Sequence, residues 1–370
     1  MKLGIIGGGQ LGRMLALAAY PLGIDVRTLE PSPDAPAGRL TEQIIAAYDD
    51  RQALAAFAAG LDLVTYEFEN VPVQSAAFLA ERLPVHPGPR ALEVAQDRLH
   101  EKTFFRSLNI PTPGFAPVAS PAELRRAVAD LGLPAVLKTR RLGYDGKGQY
   151  VIARAADLDA AWEALGGVPL ILEEHVDFSR ELSILAARST GGEIALYPLV
   201  ENHHRGGILR LSLAPAPDRD GALNRQAESL ARRVLEELGY AGLLAIELFE
   251  RDGVLLANEM APRVHNSGHW TIEGAETSQF EQHLRAITGL PLGATTARGL
   301  SAMVNLIGTL PPIEPILALP GAHLHLYQKA PRPGRKLGHI TLRAADTRKL
   351  QQTVLAIAQL VPELPARSLI

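Results

Sequence analysis

A short apolar run, Lys2–Ile6, passes directly into Gly7-Gly8-Gly9-Gln10-Leu11-Gly12, after which Leu11, Met14, Leu15, Ala18 and Leu22 recur at helical spacing. Asp25–Leu29 reads as the next strand, closed by the breaker run Glu30-Pro31-Ser32-Pro33. Strand, glycine turn, helix, strand is the opening of a doubly wound parallel sheet with a right-handed crossover. Residues 61–66 supply a further buried strand that ends in Glu67-Phe68-Glu69-Asn70, and polar groups beyond the carboxyl ends of such strands are well placed for a ligand. The turn has the form G-x-G-x-x-G, with Glu30 near the offset of about 20 residues expected for a ribose contact. General anion binding at the helix N-terminus ranks first for this turn, NAD second and a purely structural role third.

The 370 residues leave room for two to three domains at about 150 residues each. Apolar residues make up 47% and charged residues 21%, which is ordinary globular usage. With 37 basic and 40 acidic side chains the net charge is −3, so no bulk field favours nucleic acid or an anionic membrane, and an anionic ligand needs a local cluster. Cysteine is absent, which excludes disulfides, thiolate metal sites and cysteine nucleophiles. No apolar run approaches the roughly 18–20 residues that span a bilayer, so a soluble cytoplasmic protein is expected.

The proline-rich stretch 84–89 suggests a boundary, followed by one charged helix over 90–108 and an extended connector at Ile110-Pro111-Thr112-Pro113. From 122 to 172 the expected order is helix, strand (Ala135–Thr139), glycine-rich loop, strand (149–153), helix (Leu158–Leu165), strand (Leu170–Glu174). Strands at 181–187 and 193–199 lead to a polar turn, 223–239 is an amphipathic helix, and 243–250 with 253–259 forms a hairpin about Arg251-Asp252-Gly253. Strands at 323–327 and 339–342 and a helix over 346–360 complete the chain, with no internal repeat.

Four segments carry the chemistry. Lys138-Thr139-Arg140-Arg141-Leu142-Gly143-Tyr144-Asp145-Gly146-Lys147-Gly148-Gln149 sets a strand-borne lysine before a glycine loop able to wrap backbone N–H groups around a polyphosphate, and it is neither a Walker A nor a kinase loop. Glu247 and Asn258-Glu259 bring two carboxylates and an amide to neighbouring strands, the hard oxygen ligands suited to Mg²⁺ bridged to phosphates, although such pairs are more often surface charge. Arg263-Val264-His265-Asn266-Ser267-Gly268-His269 offers donors for a small planar anion. Zinc at His265 and His269 is a weaker reading, without a third ligand at metalloprotease spacing. Lys329-Ala330-Pro331-Arg332-Pro333-Gly334-Arg335-Lys336 is a stiff cationic loop suited to a phosphate monoester, while His323 and His325 read as structural.

Together these segments resemble the ATP-grasp superfamily and, within it, the synthetases that carboxylate 5-aminoimidazole ribonucleotide. The similarity runs from Gly7-Gly8-Gly9-Gln10-Leu11-Gly12-Arg13-Met14-Leu15 to Arg332-Pro333-Gly334-Arg335-Lys336 and is most specific over Asn258-Glu259-Met260-Ala261-Pro262-Arg263-Val264-His265-Asn266-Ser267-Gly268-His269-Trp270-Thr271.

The resemblance implies an α/β protein with an α+β lid: a Rossmann-like pre-ATP-grasp domain (1–95), an ATP-grasp domain (96–290, lid about 113–175) and a small C-terminal α/β domain (291–370). It implies ATP at Arg98, Lys138, the loop from Gly143 to Gln149, the hinge Glu173, Glu174, His175 and Val176, then Glu181, His204, Asn258 and Glu259. Mg²⁺, two ions per ATP, falls to Glu247 and Glu259. Substrate falls to Gly9, Gln10, Leu11, Glu67 or Glu69, Tyr144, Asp145, Arg263, His265, Asn266, Ser267, Lys329, Arg335 and Lys336, and the catalytic set is Lys138, Asp145, Arg263 and His265. Bicarbonate, phosphorylated to carboxyphosphate, is the expected co-substrate. A homodimer that passes its product to a mutase is also implied. An NAD-dependent oxidoreductase built on the N-terminal turn is the alternative from another class, and another ATP-grasp carboxylase or ribonucleotide ligase the alternative within it.

Overall fold

The glycine turn feeds a parallel sheet of four strands, β1 (Lys2–Ile6), β2 (Asp25–Leu29), β3 (Glu42–Ile44) and β4 (Leu63–Tyr66), in the order β3-β2-β1-β4. The computed structural model describes residues 1–143, 146–361 and 364. Gly9, in an extended conformation, caps the helix Gln10–Ala19, so Leu11 and Gly12 are already helical rather than part of the turn. That helix buries Leu11, Met14 and Leu15 and yields at Pro21 to a 3-10 turn, Tyr20–Leu22, which places Leu22 outside it.

A second, antiparallel sheet holds β5 (Phe115–Val118), β6 (Ala135–Thr139), β7 (Gln149–Ile152) and β8 (Leu170–Glu174) in the order β5-β8-β6-β7. With the helices Pro121–Leu131 and Leu158–Leu165 it encloses its own core, which includes Leu124, Leu137, Ala161 and Leu172.

The third sheet is antiparallel and contains β9 (Arg180–Arg188), β10 (Ile194–Leu196), β11 (Val200–Arg205), β12 (Ile208–Ala214), β13 (Gly242–Arg251), β14 (Val254–Ala261), β15 (Leu300–Ile307), β16 (Ala322–Leu326) and β17 (Lys336–Ala344). The order is β14-β13-β9-β11-β12-β15-β17-β16, with β10 on β9. The last three strands therefore continue the central sheet, covered by the helix Thr347–Leu360. One core joins Leu3 and Leu15 of the first unit to Leu185 and Leu243 of the central sheet through Phe280 and Leu284. At that junction the Leu243 N–H donates to His283 Nδ1 at 3.0 Å, which leaves Nε2 carrying the hydrogen that meets Thr65 Oγ1 at 2.8 Å.

Several sequence expectations need correction. The expected polar turn after 199 is a strand, β11, and the stretch 193–199 contributes only the three residues of β10. The single helix over 90–108 is two, Pro89–Ala95 and Arg98–Ser107, because Asp97 breaks the run and accepts the Leu99 N–H at 3.0 Å as an N-cap. The hairpin turn is the two residues Asp252 (φ 52°) and Gly253 (φ 77°), both left-handed as a tight turn between twisted strands requires, so Arg251 remains in β13. β12 and β15 went unread. Among the described residues no helix is long and apolar enough to cross a membrane.

Candidate active site

A cleft of about 890 Å³ is lined by residues of the second and third sheets and by the segments that follow β1 and β4 of the first. Lys138, on β6, reaches Glu173 Oε2 on the neighbouring strand β8 at 2.9 Å. Burial alone would raise the Glu173 pKa, but the charges of Lys102, Lys138 and Arg98 outweigh it and hold the carboxyl down to about 2. Glu174 accepts the Gly114 N–H at 3.0 Å and Arg251 Nη1 at 2.7 Å, and the His175 N–H donates to Pro134 O at 3.3 Å. The carboxylates of the 173–176 segment are thus engaged by the protein, while Val176 is buried. Phe178 and Phe249 stack at 4.7 Å and line the same end, a pair the sequence reading did not single out. Glu181 pairs with His204 Nδ1 at 2.6 Å; burial opposes charge on the imidazole, yet the carboxylate wins and raises its pKa.

The glycine loop closes onto the central sheet. Gly146 has φ +75°, and a Cβ there would lie 3.2 Å from Gly206 O, so a side chain would push the loop off the β11–β12 turn. Gly143 approaches Arg98, and Lys147 and Gln149 line the cleft. Gly148 does not line it; its carbonyl accepts the Thr139 N–H at 2.8 Å. Tyr144 and Asp145 lie outside the described residues.

Glu247 and Glu259 face each other directly across β13 and β14, with a register shift immediately after Glu247. Burial would raise the Glu247 pKa, but the His265 hydrogen bond and the charges of His265, His204 and Lys336 hold it down to about 2. His265 Nε2 lies 3.1 Å from Glu247 Oε1, and Arg98 Nη1 lies 2.8 Å from Glu259 Oε2. Asn258 Oδ1, beside them in sequence, is buried without a hydrogen-bond partner. Two facing carboxylates and a bare amide oxygen suit a hard cation. Among the described residues no group of three or more His, Asp or Glu forms a closed metal cage, so a cation here would also need phosphate or water oxygens.

Arg263 pairs through Nε with Glu69 and donates from Nη1 to Val264 O at 3.0 Å. The Ser267 N–H meets His265 Nδ1 at 3.3 Å, which turns Nε2 toward Glu247. Ser267 itself is buried beneath the site, and its Oγ accepts from Ser183 at 2.8 Å. Asn266 exchanges two amide hydrogen bonds with Asn305 on β15, at 3.0 and 2.7 Å; Asn305 is another residue missed in the sequence. His269 is buried with its Nδ1 3.0 Å from Gln279 Nε2, and among the described residues no group of three or more His, Asp or Glu is placed to hold a metal ion, which leaves the zinc reading without a ligand set.

Gly9, Gln10, Leu11, Glu67 and Glu69 also line the cleft, as do Lys329 and Lys336. Lys329 Nζ bonds Gln10 Oε1. Arg335 does not line it; its guanidinium donates to Ala330 O at 3.2 Å. The expected anion site at the glycine turn is corrected: Glu67 accepts the N–H groups of Gly9 and of Gly12, the latter at 2.7 Å, and Glu30 accepts that of Gly8 at 2.9 Å. The helix N-terminus is filled by the chain's own carboxylate, and Glu30, the expected ribose ligand of an NAD site, is tied to the turn and to Tyr48 at 2.6 Å.

A lid sheet closing a glycine loop over a carboxylate-bearing central sheet defines an ATP-dependent ligase of the ATP-grasp class. Residues 103–280 match the ATP-grasp domain, 1–96 the ribonucleotide synthetase preATP-grasp domain, and 301–353 the phosphoribosylaminoimidazole carboxylase C-terminal domain. An N5-carboxyaminoimidazole ribonucleotide synthase of Pseudomonas aeruginosa is 54% identical over 361 residues, 98% of this chain and 99% of the relative. The crystal structure of the synthetase from Thermus thermophilus superposes with a TM-score of 0.95 at 58% identity, covering 98% of this chain and 99% of that one. An Aspergillus clavatus synthase solved with ADP and 5-aminoimidazole ribonucleotide superposes with a TM-score of 0.90 at 33% identity, over 97% and 98% of the two chains. The chain belongs to the N5-carboxyaminoimidazole ribonucleotide synthase family.

Proposed function

We infer that this chain uses ATP to carboxylate the exocyclic amine of 5-aminoimidazole ribonucleotide, giving N5-carboxyaminoimidazole ribonucleotide, ADP and phosphate. The observation that carries the reading is the continuity of one cleft from Lys138 and the facing carboxylates, past Arg263 and His265, to the glycine turn and Lys329. Nucleotide and ribonucleotide can therefore occupy its two ends and react in the middle.

Bicarbonate is anionic and would have to expel hydroxide, so the reaction needs it phosphorylated first. Transfer of the terminal phosphoryl group of ATP to a bicarbonate oxygen gives carboxyphosphate and ADP. The substrate amine then attacks its carbonyl carbon, phosphate leaves, and the amine's proton is lost.

Lys138, Arg98 and the loop residues Gly143, Gly146, Lys147 and Gln149 surround the polyphosphate, with Gly148 holding the loop's return to β7 from outside the cleft. The ribose end belongs to Glu181 and His204, and the adenine to backbone groups of the 173–176 hinge beside the Phe178–Phe249 stack. Glu247, Glu259 and the Asn258 oxygen hold Mg²⁺, two ions per ATP, which when bound neutralises the charge on the transferring group. Arg263 orients bicarbonate. His265, facing Glu247, hydrogen-bonds the reacting groups beside it. Asp145 is the proton acceptor, and Tyr144 with Asn266 and Ser267 shapes the ribonucleotide pocket. Lys329 and Lys336 attract the ribonucleotide phosphate, with Arg335 adding its charge from outside the cleft, and Gly9, Gln10, Leu11, Glu67 and Glu69 lie around the sugar. The same reading divides the chain at about residues 95 and 290, pairs it as a homodimer in the cytoplasm, and passes its product to a mutase.

The test supplies ¹⁸O-labelled bicarbonate with ATP and 5-aminoimidazole ribonucleotide. One label atom per turnover should appear in released phosphate, and unlabelled phosphate would overturn the carboxyphosphate route.

A further inference from the structure

Lys102 lies one turn after Arg98 on the helix Arg98–Ser107 and does not line the cleft. Its side chain has 0% exposure, and its ammonium sits 3.3 Å from Glu173 Oε2 and 3.5 Å from Ala257 O. Lys138, 12% exposed and facing the cleft, reaches that same oxygen at 2.9 Å. Two ammonium groups thus converge on one carboxylate oxygen, one sealed inside the protein and one at the edge of the cleft. The other oxygen, Glu173 Oε1, is buried without a hydrogen-bond partner. Among the described residues no other side chain shares the carboxylate through a hydrogen bond, so its charge is balanced by these two lysines with Arg98 close by.

The arrangement has a consequence for nucleotide binding. A buried carboxylate facing a single lysine makes a pair that is costly to separate, because separation leaves an uncompensated buried charge. A lysine so trapped would resist turning toward phosphate. We propose that Lys102 is a positioning residue for the phosphoryl-transfer step: by neutralising Glu173 from behind, it leaves Lys138 aimed into the cleft yet free to give its ammonium to the nucleotide phosphates. Burial lowers the Lys102 pKa, and the Glu173 charge beside it works against that fall. The proposal rests on the reading of Lys138 as a phosphate contact.

The experiment titrates the full-length protein with MgADP calorimetrically and measures KM for both substrates. Lys102→Met should weaken MgADP binding and raise the KM for ATP by about tenfold or more, with the KM for 5-aminoimidazole ribonucleotide little changed. The double variant Lys102→Met with Glu173→Gln removes the charge Lys102 exists to balance, and should return MgADP affinity to within about threefold of native. Native affinity in folded Lys102→Met, or a double variant as weak as the single one, would overturn the proposal. Should Lys102→Met fail to fold, the double variant, which no longer buries the Glu173 charge without Lys102, decides alone by the same threshold. Lys138→Met, run alongside, separates the two readings: native MgADP affinity there removes Lys138 from the nucleotide and leaves Lys102 without a role in binding.

Discussion

Glu67 accepts two backbone N–H groups of the glycine turn, so the helix N-terminus already carries a negative charge before any ligand arrives. Burial raises the Glu67 pKa, and those N–H groups work against the rise. The turn's geometry is correspondingly intolerant. Gly7 has φ +103°, and a Cβ there would collide with Glu67 Cγ. Gly7→Ala should therefore lose about 1–3 kcal/mol in urea unfolding, the combined effect of a left-handed backbone and the clash. Lys138→Ala should lower kcat/KM for ATP by about 10²–10³-fold, in line with removal of a preorganised charge at a transferring group. Glu259→Gln should abolish Mg²⁺-dependent ADP release while leaving Tm near native, because Glu259 is partly exposed and its partner Arg98 keeps other carboxylates nearby.

Among the elements, the helix Arg98–Ser107 begins with a residue that serves two structures. Asp97 caps the helix and also accepts Arg140 Nε at 2.9 Å and Nη2 at 2.8 Å, with Arg141 at 3.3 Å, which ties the lid's lysine strand to the helix carrying Arg98 and Lys102. Burial would raise the Asp97 pKa, but the Arg140 hydrogen bonds and charge, then Arg141, lower it. A carboxyl with a depressed folded pKa adds stability above its unfolded value of about 3.9 and loses it as pH falls toward the lower folded value. Asp97→Asn should thus cost about 1 kcal/mol or more at neutral pH. Its Tm should also fall less than that of the native protein as the pH is taken below about 4.

Elements of this kind divide into those a short window of sequence reveals and those it does not. Lys2–Ile6, Leu170–Glu174 and the helix from 222 to 237 show their apolar period or run directly. The strand Val200–Arg205 does not, because Glu201, Asn202, His203, His204 and Arg205 look like loop. Asn202 can be buried only because Ser183 and Ser212, on two other strands, satisfy its amide at 2.9 and 2.7 Å. In the site, the segments with unusual composition were visible, whereas Lys102 and Asn305 act through partners 71 and 39 positions away and carry no local signal.

At the scale of the whole molecule, the sheet β5-β8-β6-β7 has a hydrophobic core of its own, and its glycine loop rests on the β11–β12 turn. MgADP should slow amide hydrogen exchange in Gln149–Ile152 and the β11–β12 turn together, while β1 and β4, buried between two other cores, should change little. Exchange that slows across all three sheets equally would instead mean global stabilisation. The central sheet has a different bearing on how the chain comes into being. β12 pairs with β15, which follows it by 86 positions, and β15 pairs with β17, so the middle of the sheet is closed by strands made near the end of synthesis. Until they emerge from the ribosome, β12, which carries the apolar Leu211, offers an open row of N–H and C=O groups, a template for pairing with another chain. A product truncated at residue 290 should accumulate as aggregate rather than as a weakened enzyme, and growing chains will depend on holdase protection during the interval in which that edge waits for its neighbour.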